Sequence, residues 1–139
     1  MIAIAAAMLL QAALAPDVPV IPAFVDHSLA AESVTTVEAR CLDERRIAAT
    51  VASGVKRTTE VERFSEDGVE MSTEQRRLWS EALKNIRSVI GVEITCAGPS
   101  DLVTVEGWPF DAPGRPHRLK VHAFIADGRV SAIREVRVK

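Results

Sequence analysis

Neither sign of charge is in excess in this chain: 17 Lys and Arg stand against 19 Asp and Glu, for a net charge of −2. Cations and anions so interspersed offer no basic footprint for a phosphate backbone, and nucleic acid is set aside as a partner. Cysteine is nearly absent. The two present, Cys41 and Cys96, form no Cys-x-x-Cys pair and have no histidine at ligand spacing, so neither a redox motif nor a metal site is expected. A Gly-x-Ser-x-Gly elbow, a His-Glu-x-x-His helix and a phosphate-binding glycine loop are missing too. No catalytic residue, metal ligand or cofactor is assigned, and the expectation is a non-catalytic protein.

Long apolar runs are lacking except at the N-terminus, where residues 1–15, MIAIAAAMLLQAALA, contain no charge. That run is shorter than the roughly 20 residues that span a bilayer. It ends in Ala13-Leu14-Ala15, the small-x-small form read by signal peptidase, so a signal peptide cleaved before Pro16 is expected, although the usual basic residue at its start is missing. Residues 16–33 carry three prolines and no sustained period, and are expected to be an extended lead-in with His27 as a solvated residue. A single domain then covers 34–139. An even cysteine count in an exported chain predicts a structural Cys41–Cys96 disulfide. Export together with 13 Arg against 4 Lys suggests a bacterial periplasm or secretion from such a cell, with no stable membrane insertion after cleavage.

What the domain does contain is one helical period among many alternating ones. Over 72–90, Leu78, Trp79, Ala82, Leu83, Ile86, Val89 and Ile90 form an apolar stripe behind a Ser72 N-cap with Gln75 completing a capping box, and Gly91 ends it. Three strands are expected before this helix and four after it. The first two make a hairpin around Asp43-Glu44-Arg45 that sets Cys41 by Ile47, Ala39 by Ala49 and Val37 by Val51. The third, near Arg57 to Ser65, is charged and suits a sheet edge. Val92 to Cys96 and Leu102 to Glu106 alternate after the helix. The last hairpin turns at Asp127-Gly128, setting Ile125 by Val130, Ala123 by Ala132, Val121 by Arg134 and Lys120 by Glu135. The fold predicted is α+β: one antiparallel sheet of six or seven strands, order βββ-α-ββββ, with the helix packed on one face.

Aromatic side chains are scarce, four Phe, two Trp and no Tyr, and two of the six fall in the proline-rich stretch 107–117, GWPFDAPGRPH. Rings in a stiffened loop lose little entropy on binding. Trp108, Phe110, Arg115 and His117 are therefore the candidate contacts of a protein-binding, accessory or inhibitor-like module, with an envelope protein as its partner. The alternative is a small-ligand-binding protein or hydrolase with a pocket between helix and sheet, using His122 and Arg134. His117 and His122, five apart, would face opposite ways on a strand and cannot share a metal. His122 with Asp101 or Asp111 and a serine can be drawn as a triad only on paper. Glu60, Glu62, Glu66, Asp67 and Glu70 lack calcium-loop spacing and are expected to be a solvated edge.

Overall fold

The computed structural model describes residues 33–54, 57–109 and 117–139, with Arg57 described in its backbone alone. The expected signal peptide, nearly all of the lead-in, and Phe110 and Arg115 lie outside these residues. Alternating burial runs through most of the strands: in β1, Ser33–Arg40, every odd residue is buried and every even one exposed. Strands β2 (Arg46–Gly54), β3 (Arg57–Glu66) and the short β4 (Val69–Glu70) follow. After the helix α1 (Thr73–Ala82) come β5 (Ile86–Ala97), β6 (Ser100–Pro109), β7 (Arg118–Ala126) and β8 (Arg129–Val138).

These strands do not form one sheet. They make two four-stranded antiparallel meanders, β1-β2-β3-β4 and β5-β6-β7-β8, in the order ββββ-α-ββββ. Period-two patterning and tight turns determine which neighbours pair, but a helical crossover leaves the strand after it free to start a second sheet. One hydrophobic cluster joins both sheets, with Ile47, Phe64, Ile94, Leu119 and Ile125 among its fully buried members. Beside each other without a shared ladder, β1 and β5 close one side. At one end of that side Ser53, the ladder partner of Ser33, accepts from the Val89 amide at 3.4 Å. At the other end the Cys41–Cys96 disulfide joins them, with the Cα atoms 5.8 Å apart.

The helix closes the opposite side, in the gap between β3 and β8. Trp79 and Leu83 are completely buried there, and Trp79 meets Phe64 edge to face with centroids 5.6 Å apart. Ser80 Oγ accepts from the Val61 amide at 2.9 Å, and Gln75 Oε1 accepts from the Val130 amide at 2.8 Å, so the helix satisfies the free edges of both strands. Ser72 caps as expected, accepting from the Gln75 amide, but the Gln75 side chain is committed to β8 instead of returning to the cap.

The expected helix 72–90 is too long by its second half. Its last apolar residues, Ile86, Val89 and Ile90, belong to β5, where the register with β6 shifts between Ile86 and Ser88 and again between Val89 and Gly91. Each bulge inserts a residue, so the inward positions run Ile86, Val89, Val92, Ile94, Cys96 and briefly imitate a helical spacing. β-branched Ile86, Val89, Ile90 and Val92 favour the extended form. Similarly, β6 carries through Gly107, Trp108 and Pro109, which were expected to be an irregular loop.

Both hairpins form with altered registers. In the first, Cys41 and Arg45 close a three-residue turn, placing it one residue early, and the ladder pairs Ala39 with Ile47 and Val37 with Ala49. A shift of two keeps every side chain on its expected face. In the last, Asp127 and Gly128 take the positive φ of the predicted turn and Ile125 pairs with Val130, but a bulge then sets Phe124 by Ala132, Ala123 by Ile133 and Val121 by Glu135. Lys120 consequently faces Val136, and Arg134 moves to the outer face beside His122.

Candidate functional site

Two polar constellations stand out. The first is on the outer face of the second sheet, built by alternation: side chains opposite the buried Val92, Val103, Val105 and Val121 point away from the core. Glu93, Thr104, His122 and Arg134 form one cross-strand row, and Gly91, Glu106, Lys120 and Val136 the next. Trp108 lies beyond them, paired with Ser88 and 41% exposed, on rigid strand rather than loop. From Trp108 to the Thr104 row is four residues, or about 13 Å of strand.

Within this face Thr104 Oγ1 lies 2.8 Å from His122 Nδ1, and Arg118 Nη1 pairs with Glu106 Oε2 at 3.1 Å. Burial, followed by the charges of Lys120 and Arg134, pushes the His122 imidazole below its usual range, with Glu93 opposing. His122 is therefore a neutral hydrogen-bonding group at neutral pH. Gly91 leaves open space where a side chain would stand, and an open depression of about 250 Å³ forms over it, lined by Glu93, Thr104, Glu106 and Lys120. The arrangement combines a presented ring, paired charges and a shallow polar hollow, all features of recognition.

Of the residues expected to bind, the structure brings Trp108, His122 and Arg134 onto this one face. His117 precedes β7 and meets Arg137, Nη1 to Nε2 2.5 Å. The space beneath the helix, where a pocket was expected, is filled by Trp79 and Leu83, and neither His122 nor Arg134 lies there. Asp101 is buried on the inner face of β6 and cannot join His122 in a triad, while Asp111 lies outside the described residues. Among the described residues, no group of three or more His, Cys, Asp or Glu is placed to hold a metal ion.

The second constellation lies next to the disulfide. Arg45 reaches from the first sheet to the second: its Nη1 bonds the Asp101 carboxylate and its Nη2 donates to Gly98 O at 2.9 Å, while Nε donates to Asp43 Oδ2 at 2.7 Å. Glu66 lies 3.8 Å from the same guanidinium. Burial, and then a hydrogen bond and repulsion from Asp101, raise the Glu66 carboxyl above its ordinary range. In its protonated form Glu66 can donate to the Asp101 carboxylate, whose buried Oδ2 has no other hydrogen bond among the described residues. Sequence patterning missed this cluster, because charged residues at turns read as solvated and nothing signals that two turns from different sheets meet. Its chemistry is that of a clamp between the sheets.

Compared with known proteins, the chain matches no family model, no curated protein and no solved structure.

Proposed function

We propose that the chain is an exported, non-catalytic binding module of a bacterial envelope that holds a protein partner on the outer face of its second sheet, in the manner of an accessory or inhibitor-like protein. The observation that carries this is Trp108: a large ring, 41% exposed, held by a strand whose neighbour Gly107 packs directly against β5. Aromatic residues fixed before contact are the usual energetic centres of interfaces, and flanking charges such as Glu106 and Arg118 serve as a rim. The disulfide, and the lack among the described residues of a helix long and apolar enough to cross a membrane, are compatible with export.

The test is cross-linking of the oxidised protein in an envelope extract, with Trp108→Ser beside the wild type and thermal melts of both. A partner captured by the wild type and lost by a variant of nearly unchanged Tm supports the proposal. Capture that survives the substitution, or a Tm that falls by more than about 8 °C, the shift expected for a loss of 1–2 kcal/mol in a domain of this size, ends it. A second reading, a small-ligand-binding protein or hydrolase using His122 and Arg134, would draw on the row these two share with Glu93 and Thr104, which border the hollow over Gly91. That site stands on the open sheet face and not beneath the helix.

A further inference from the structure

The first sheet has its own unexplained feature, on the side facing away from the core. Arg40 and Arg46 are the last ladder pair before the β1–β2 turn, and both are exposed. Like charges directly opposite each other repel, so a fold selected for stability alone would not place them so. Little offsets the repulsion. The nearest anion to Arg40 is Glu44 at 3.8 Å, with both side chains largely in solvent. The Arg46 backbone is anchored, its amide donating to Asp67 Oδ1 at 2.9 Å, but its guanidinium has no hydrogen bond or ion pair among the described residues.

Beside the two arginines lies an open depression of about 470 Å³, the size of a small-molecule site. Small residues make room for it: Ala48 from β2, Ser65 from β3 and Gly68 from the β3–β4 turn line it together with Glu38, Arg40 and Arg46. Ala48 pairs with Glu38 on one side and Ser65 on the other, so the floor is one ladder row from the arginine pair.

We propose that this depression is an oxyanion site, in which the phosphate or carboxylate head of a small ligand lies between the Arg40 and Arg46 guanidiniums above Ala48. A guanidinium fork matches either group with two parallel hydrogen bonds, and an anion between two of them turns their repulsion into shared attraction. Glu38 and Ser65, one row further in, face the part of the ligand behind the head, and Glu38 selects there for an amine or hydroxyl over a second anion. This site is on the other sheet from Trp108 and does not depend on the binding role proposed for that face.

The test follows the arginine Nε–Hε signals of the oxidised full chain by NMR during titration with inorganic phosphate and with acetate, against sodium chloride at equal ionic strength. Saturable movement of the Arg40 and Arg46 signals at millimolar phosphate or acetate, abolished in Arg46→Gln, supports the site, and whichever anion saturates names the head group. The ligand-free variant should melt at the wild-type temperature or above, since removing one cation relieves repulsion. Shifts that grow linearly and match those in chloride overturn the proposal, as does a lowered Tm for Arg46→Gln, which would make the arginine structural.

Discussion

Loss of the Cys41–Cys96 bridge offers the most direct test of how the two sheets are held together. The bridge closes a loop of sequence separation 55, for which the chain-entropy relation gives about 4 kcal/mol at 25 °C. Against a total of about 5–15 kcal/mol for a domain, that is a large share. It acts where β1 and β5 touch without a ladder, so no row of backbone hydrogen bonds duplicates it. The Arg45 clamp does bridge the same end, from Asp43 to Asp101 and Gly98, and should keep the unbridged protein folded in water. Urea unfolding of the oxidised protein and of Cys41→Ala/Cys96→Ala, followed by the fluorescence of Trp79 in its buried place against Phe64, measures the difference. The variant should lose about 4 kcal/mol and show a larger m-value, because an uncrosslinked unfolded chain exposes more surface. A loss below about 1 kcal/mol with an unchanged m-value would refute the reasoning, since the unfolded chain would then already hold these segments together.

Gly107→Ala should be among the most damaging single changes. A Cβ there would collide with Ser88 O and Ile86 Cγ2, so β5 must move, and denaturant titration should show a loss of at least about 2 kcal/mol. Glu66→Gln should act with pH. The Glu66 carboxyl is raised, so the stability it contributes is fully present below the ordinary glutamate range and is lost as pH rises through its folded pKa. Glutamine keeps a donor toward Asp101 without the charge, so the variant should match the wild type near pH 4 and melt above it at pH 7; a difference that does not change with pH would contradict the proton placement.

Local structure was largely legible in the residues, whereas tertiary pairing was not. The Ser72 cap, the alternation of β1 and β2, the Asp127-Gly128 turn and the disulfide all follow from chemistry within a few residues, or from two cysteines on inward faces. The split into two sheets does not, because the strand after a helix can join the old sheet or begin another with the same alternation. The helix was overextended for a related reason: a bulge changes the spacing of buried residues from two to three, and Ile86, Val89 and Ile90 then resemble one more helical turn. Trp108 is named from the sequence as a contact candidate but placed on a loop, since Pro109 and the glycine before it look like strand breakers. Pro109 is tolerated where it stands because it ends its strand.

The bulges that obscured the pattern also build the outer face of the second sheet. Without the extra residue near Ser131, the register counted from the turn would set Arg134 opposite Val121, over the core; with it, Arg134 stands opposite His122 on the outside. Without the shift between Val89 and Gly91, Val89 would stand opposite Trp108 on the outer face; with it, Val89 turns to the core opposite Gly107 and Ser88 faces Trp108. Each bulge breaks part of a ladder and costs stability locally, and each changes which residue stands on the outer face. Trp108 lies between the two register shifts of β5, opposite Ser88. The irregular stretch of β8 is thus the segment in which sequence change should alter what the face recognises before it alters the fold, whereas the irregular stretch of β5 carries the buried Ile86 and Val89.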